Sequence, residues 1–370
     1  MIQLFGVASE YKKLRKELHK TALRVLDSGH YILGHETSAF EEEFAKAQGL
    51  KYAIGLSSGT DAIEIALKAL NIGPGDEVIV PTFTFIATAA AVSAVGASPV
   101  FCDISSSDLN SNAENFSSVI TSKTKAFIPV HLYGHPVEMS PIMSLAREHG
   151  IHVVEDCAQA HLAQYNGRPV GSFGAIAAFS FYPSKNLGAL GDAGATLTNS
   201  KALAEACLEI RNAGRGLKGP TYEYARIAGN SRIDEIQAAF LRVKLRDLKK
   251  TTEKRREIAR IYKEEFAGLP LILPDAGNSK TKPAFHLYVV RSDRRDALSA
   301  HLKKLEIASG VYYPLPLHRQ KPYRYLNLNP AAFPNAENAS KTVLALPMHP
   351  WLSNSEINRV VTAVRSFFKS

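Results

Sequence analysis

The stretch Phe179-Ser180-Phe181-Tyr182-Pro183-Ser184-Lys185-Asn186-Leu187 sets a single lysine in an otherwise apolar and hydroxyl-bearing segment. It closes the apolar run 176–181 and is followed at once by Gly188-Ala189-Leu190-Gly191-Asp192. Upstream, Ile151-His152-Val153-Val154-Glu155 ends at Asp156. Short apolar runs bounded by Gly and Pro predict strands buried on both faces. Five more lie at 52–56, 77–80, 99–101, 126–131 and 195–198, so seven strands are expected. Helical patterns at 61–70, 85–95 and 141–149 fall between them. That alternation predicts an α/β fold, doubly wound on a mostly parallel sheet, with ligands at the strand carboxyl ends.

A helix over 10–28 is expected before the sheet. A long one over 234–266 is expected after it, with Ile236, Phe240, Val243, Leu248, Ile258 and Ile261 as apolar positions. Strand signals return at 284–290 and 311–313, and a helix closes the chain after Ser355. These patterns predict two domains, 1–245 with the N-terminal helix and a smaller α+β domain over 246–370, the boundary lying inside the long helix.

Composition narrows the class. A chain of 370 residues, 45% hydrophobic and 21% charged, is ordinary for a globular enzyme with large cores. The most apolar window, 83–95, is shorter than a membrane span and is interrupted by Thr and Ser. No signal-peptide layout opens the chain. Cys102, Cys157 and Cys207 show no paired spacing and fit free thiols in a reducing cytoplasm. The net charge of +9 calls for anionic partners. The basic residues 249–256 alternate with acids on a helical pattern, so steering of phosphorylated small molecules is expected rather than nucleic-acid binding.

The chemistry rests on Lys185 and Asp156. A lysine in a semi-apolar loop can form a Schiff base with an aldehyde, and a strand-end acid can keep a pyridine nitrogen protonated; pyridoxal 5'-phosphate requires both. Apolar surroundings and a nearby cation lower a lysine from its usual value near ~10.4 toward useful nucleophilicity. Gly55-Leu56-Ser57-Ser58-Gly59-Thr60-Asp61 ends a strand and opens a helix, where Ser58, Gly59 and Thr60 can make a phosphate site, although Ser58 or Thr60 serves equally as a plain helix cap. Ser180 is a second phosphate ligand candidate. Gln159 is placed to touch the ring's phenolic oxygen, and Phe85 to stack on the ring or to sit in the core. Glu155 is expected on the opposite face of its strand. His131, His152 and His161 lack metal-ligand spacing, and no metal is expected.

With these residues, the chain resembles the DegT/DnrJ/EryC1/StrS sugar aminotransferases, of the aspartate aminotransferase-like fold type I. The resemblance runs nearly end to end. It takes in Ser58-Gly59-Thr60-Asp61-Ala62, Pro81-Thr82-Phe83-Thr84-Phe85-Ile86-Ala87-Thr88 and Pro129-Val130-His131-Leu132-Tyr133-Gly134. It continues through Glu155-Asp156-Cys157-Ala158-Gln159-Ala160-His161, the lysine segment and Asn230-Ser231-Arg232-Ile233-Asp234-Glu235. Tyr313-Pro314-Leu315-Pro316-Leu317-His318 and Leu346-Pro347-Met348-His349-Pro350 complete it.

The resemblance implies that Lys185 carries the cofactor and shuttles protons, and that Asp156 and Gln159 hold the ring. It gives the phosphate to Gly59, Thr60 and Ser180, and has Asn230 reach the cofactor of a neighbouring subunit, which makes a homodimer necessary. Tyr313 and His318 fall where the family binds the nucleotide sugar. Three departures bear on that side: Leu162 where the family usually has glycine, Tyr224 where it usually has histidine, and the atypical stretch 215–223. The implied reaction moves an amino group from L-glutamate to a nucleotide-linked keto-sugar. The acceptor most resembled is C3 of a dTDP-3-keto-6-deoxyhexose, used in lipopolysaccharide O-antigen or antibiotic sugars. A UDP-linked 3-keto-N-acetylhexosamine or its uronic acid, or a 4-keto sugar, is the alternative acceptor. A sugar dehydratase would usually lack Lys185, and a non-catalytic regulator would lose the lysine or the acid.

Overall fold

The computed structural model describes residues 1–218, 220 and 222–369. Seven strands form one sheet: β1 (Tyr52–Leu56), β2 (Glu77–Pro81), β3 (Ser98–Cys102), β4 (Thr124–Phe127), β5 (His152–Asp156), β6 (Ile176–Ser180) and β7 (Gly194–Thr198). Their order is β1-β7-β6-β5-β4-β2-β3, and only β7 runs antiparallel to its neighbours. All seven expected strands are present. Pro129 cannot donate to a ladder, so β4 stops short of the expected His131.

Strand alternation sends side chains to two apolar layers. Ile54, Leu56, Val78, Val80, Val154, Ile176 and Ala178 face one cluster. It is packed by α3 (Gly59–Ala69), α4 (Ala87–Ala94) and α6 (Lys201–Arg211). On the other face, Ala53, Ala177, Phe179 and Leu197 meet α2 (His35–Ala47) and α7 (Glu235–Leu245), while Ile79, Phe127 and Val153 meet α5 (Met139–His149). The N-terminal α1 (Val7–Ser28) lies on α7 through Leu18, Phe240 and Val243.

A further core gathers Ile258, Tyr262, Tyr288, Leu302, Leu344, Val360 and Val364. These come from α8 (Leu248–Glu265), α9 (Arg295–Lys304), α10 (Asn354–Lys369) and the antiparallel pair β8 (Tyr288–Arg291) and β9 (Val343–Leu346). The helix expected over 234–266 is two helices, α7 and α8, because the polar pair Arg246-Asp247 forms a turn between them. Residues 311–313 form no strand; the chain makes only a single bridge there, from Gly310 to Ala345.

Helix α2 has no counterpart in the sequence reading, and its N-terminus explains why. Gly34 precedes it and offers no side-chain cap. The cap comes from Glu235, whose buried carboxylate accepts the N–H groups of Gly34 (2.9 Å), Glu36 and Thr37 (3.2 Å), and the Thr37 hydroxyl (2.7 Å). One carboxylate thus satisfies donors that a helix start leaves unpaired. Leu162 sits at φ +60°, the left-handed region where glycine costs least, and packs partly against the cluster of Phe40 and Phe44. Of the atypical stretch 215–223, Gly219 and Thr221 lie outside the described residues. The rest belongs to an exposed arm closed by bridges Asn212–Asn230 and Arg215–Tyr224.

Replacing Glu235 by alanine strands those buried donors. Chemical denaturation of Glu235→Ala should show a loss of about 3 kcal/mol, the range for an unsatisfied buried network.

Candidate active site

The site lies at the carboxyl ends of β5, β6 and β1, where the fold opens. Asp156 ends β5 and is buried. Its Oδ1 accepts the Ala158 N–H (3.1 Å) and its Oδ2 accepts the Thr88 hydroxyl (2.9 Å). Thr88 in turn meets Thr84 (3.2 Å), one turn back along the chain. Burial pushes the Asp156 carboxyl above its ordinary range, while Ala158, Thr88, Lys185 and His131 pull it back.

Lys185 follows β6 in a loop that is clamped from several sides. Its own N–H donates to Tyr182 O (2.8 Å), and Ala189 N–H to Phe181 O (2.7 Å). The Asn186 amide donates to Ala284 O (2.9 Å). Lys244 of α7 donates to Gly188 O (2.7 Å) and pairs with Glu10 of α1 (2.7 Å). Gly188 is needed because a Cβ there would collide with Pro183 O. Burial holds the Lys185 ammonium down to about 8, with Asp156 opposing. His161 and His286 also feel this charge, and burial keeps both well below the ordinary histidine value. The lysine therefore has neutral neighbours on one side and a carboxylate on the other.

An anion cradle lies at the start of α3. Ser58 caps the helix by accepting the Asp61 N–H (3.1 Å). The first-turn N–H groups at Gly59 and Thr60 have no partner inside the helix and sit at its positive end. A Cβ on Gly59 would lie 2.6 Å from Ser180 Cβ, and one on Gly194 would strike Ser58 O. Backbone thus meets backbone beside the Ser180 hydroxyl, and side chains are kept out. A helix start with unpaired N–H groups beside a serine hydroxyl, a buried acid and a depressed lysine fit a phosphorylated pyridine aldehyde.

The acid side continues through Gln159. Its Oε1 accepts Tyr133 N–H (2.6 Å), so its Nε2 is the free end and donates to the Tyr313 hydroxyl (3.2 Å). Tyr313 lies 6.1 Å from the Phe85 ring, and Phe85 is half exposed. Asp156, Gln159, Phe85 and Tyr313 are therefore brought together, as are Ser58, Gly59 and Ser180. Asn230 is exposed on the arm, and among the described residues its side chain bonds to none of them. His318 is buried, with Nδ1 on the Thr82 hydroxyl (2.7 Å), Nε2 on Glu337 (2.9 Å) and its ring stacked on Phe333. Thr88 and Tyr133 make hydrogen bonds that spacing alone does not assign; both lie inside motifs quoted above. Cys102, Cys157 and Cys207 are buried and unpaired, and no described helix is long and apolar enough to cross a membrane.

The depressed lysine has a consequence in cofactor-free protein. The folded state binds fewer protons than the unfolded chain between about pH 8 and the ordinary lysine value, so stability rises with pH there. The thermal midpoint should climb over that window relative to Lys185→Met, which lacks the group; parallel curves would refute the depressed lysine.

Comparison with known proteins gives the family. The family model described as the DegT/DnrJ/EryC1/StrS aminotransferase family matches residues 12–365. A dTDP-3-amino-3,4,6-trideoxy-alpha-D-glucose transaminase of Streptomyces venezuelae is 42% identical, over 99% of this chain and 96% of its own. A UDP-N-acetyl-3-dehydro-alpha-D-glucosamine 3-aminotransferase of Acidithiobacillus ferrooxidans is 44% identical, over 98% and 97%. The crystal structure of DesV from S. venezuelae superposes with a TM-score of 0.96 at 42% identity, covering 100% of this chain and 99% of that one. Solved aminotransferases of this fold include PLP and PMP forms. The chain belongs to the DegT/DnrJ/EryC1/StrS aminotransferase family and is a pyridoxal phosphate-dependent aminotransferase.

Proposed function

We propose that this enzyme moves an amino group from L-glutamate to C3 of a dTDP-linked 3-keto-6-deoxyhexose. The observation that carries the reading is the pair of half-buried Lys185 and buried Asp156 beside the α3 cradle, in a chain similar throughout to nucleotide-sugar 3-transaminases. Gly59, Thr60 and Ser180 would hold the cofactor phosphate, with Ser58 fixing the helix start. Asp156 would keep the ring nitrogen protonated, Gln159 would offer its Nε2 to the ring oxygen, and Phe85 would cover the ring. The bound cofactor supplies an electron sink for the carbon that loses its proton. Lys185 Nζ, held down to about 8, gives up its proton far more readily than an ordinary lysine, and once neutral would take the α-proton of the amino donor and return it at the cofactor's former aldehyde carbon. The same steps in reverse place the amino group on the keto-sugar.

On the acceptor side, Tyr313 and half-exposed Phe85 face the sugar. His318, with both ring nitrogens committed to Thr82 and Glu337, supports the 313–318 segment from behind. A second acceptor, a UDP-linked 3-keto-N-acetylhexosamine, is favoured by the 44% identity to an enzyme named for one.

We also propose a homodimer. Leu23 and Leu26 on α1 and Leu217, Tyr222, Tyr224 and the fully exposed Ile227 on the arm leave apolar surface that a second copy would cover. Asn230 would then reach the phosphate in the neighbouring site. We assign residues 1–245 and 246–370 to separate domains, supported by the helix break at Arg246-Asp247 and a C-terminal core whose one buried residue from the first domain is Ile2, and assign the enzyme to the cytoplasm.

Protein loaded with pyridoxal phosphate should lose its visible band on adding L-glutamate and regain it with a dTDP-3-keto-6-deoxyhexose. Recovery only with the UDP-linked sugar selects the second acceptor; no response to glutamate overturns the donor. The shared site has its own test. Lys185→Ala and Asn230→Asp homodimers should each be inactive or nearly so, and mixing them should restore about one quarter of wild-type activity, because half the dimers then hold one intact site. No recovery on mixing would remove Asn230 from the neighbouring site.

A further inference from the structure

We propose that Glu155, acting through His131, is a positioning residue that holds Asp156 and Gln159 at their places on the cofactor ring. The proposal rests on the cofactor reading above. Glu155 and Asp156 are successive residues of β5, so their side chains leave opposite faces of the sheet. Asp156 goes to the site, and Glu155 goes into the core, where its exposure is 0%.

Four donors converge on Glu155: the N–H groups of Gly171, Phe173 and Gly174, each at 2.7 Å, and His131 Nε2 at 3.1 Å. The other His131 nitrogen, Nδ1, accepts the Val137 N–H (3.0 Å), which leaves the ring proton on Nε2 to donate to Glu155. His131 is also fully buried. Cys157 lies near enough for these three groups to suggest a cation site. The hydrogen bonds already made by Glu155 and His131 make the cluster a closed polar unit instead.

The backbone of His131 joins this unit to the site. Its N–H donates to Asp156 O (3.1 Å), and Asp156 N–H donates to Pro129 O (2.9 Å). Two residues on, Tyr133 and Gly134 adopt φ of +57° and +87°, a tight turn that brings Tyr133 N–H onto Gln159 Oε1. Gly134 is pressed there, since a Cβ would lie 2.8 Å from Gln159 O. The segment anchored by the His131 imidazole thus bonds, through backbone N–H groups two residues apart, both the residue expected at the ring nitrogen and the residue expected at the ring oxygen. Without the Glu155 carboxylate that imidazole keeps only the Val137 N–H, and the segment carrying both constraints loses its charged anchor. Precise orientation of a polar group depends on the group behind it being fixed in this way.

The experiment loads full-length protein with pyridoxal phosphate labelled at the ring nitrogen and reads that nitrogen by NMR, alongside the cofactor dissociation constant and the thermal midpoint. The variants are Glu155→Gln, His131→Asn and His131→Gln. In Glu155→Gln and His131→Asn the nitrogen signal should move toward the unprotonated position and the cofactor should bind about tenfold more weakly, the scale of removing one charge-assisted hydrogen bond. His131→Gln, whose amide can still donate to Glu155, should keep the wild-type signal even if its thermal midpoint falls. If Glu155→Gln and His131→Asn keep a protonated nitrogen and wild-type affinity while only the midpoint falls, Glu155 is structural glue and the proposal fails. Should Glu155→Gln not fold, the two His131 variants decide the matter alone. The wild type is read first: absence of a visible band that Lys185→Ala removes would overturn the cofactor reading itself, a different result from wild-type behaviour in the variants.

Discussion

Asp156 must remain an anion where water barely reaches it. Burial raises its pKa and lowers that of Lys185, so each group alone would drift toward neutrality, and each limits the drift of the other. Everything around the pair serves that balance. Thr88 and the Ala158 N–H feed donors to the carboxylate, and His161 and His286 stay neutral. A cationic cofactor ring would complete the compensation for Asp156. The pair can be kept in register because β5 and β6 are adjacent, parallel and central in the sheet.

The lysine loop shows how much scaffold one amine requires. Helix α7 grips it through Lys244 and through Gln237, which takes the Leu190 N–H, and α1 backs Lys244 with Glu10. Asn186 ties the loop to Ala284, just ahead of β8. Three distant stretches therefore meet on a few residues of loop, and the position of Lys185 depends on elements that never touch a substrate.

Much of this was legible in the sequence, for a physical reason. Strands buried on both faces must be apolar throughout, so β1 to β7 announce themselves by short runs between Gly and Pro. Lys185 and Asp156 stand out because a charge inside such a run needs a purpose. What stayed hidden depends on partners far along the chain. The cap of α2 belongs to Glu235, the partner of His318 is Glu337, and the amide of Gln159 is oriented by Tyr133. No local pattern encodes those pairings. The break between α7 and α8 was hidden for the opposite reason, since the apolar period runs across Arg246-Asp247 undisturbed. Leu162 shows a departure whose visible physics is backbone: a residue with a Cβ in a left-handed position, its carbonyl taken by Arg256 (3.1 Å).

The Glu235 cap also sets an order of events during synthesis. Gly34 and Glu235 are 201 residues apart, and Ile2 forms its bridge with Ile307. As the chain leaves the ribosome, α2 emerges early but its first-turn N–H groups lack this cap until α7 has been translated, and the first residues wait longer still for their bridge. Phe40 and Phe44 also lack Phe179 and Phe181 through the first half of translation. The N-terminal segment thus lacks both its cap and its aromatic partners while the first half of the chain is made, the exposure that long-range pairing imposes on early sequence.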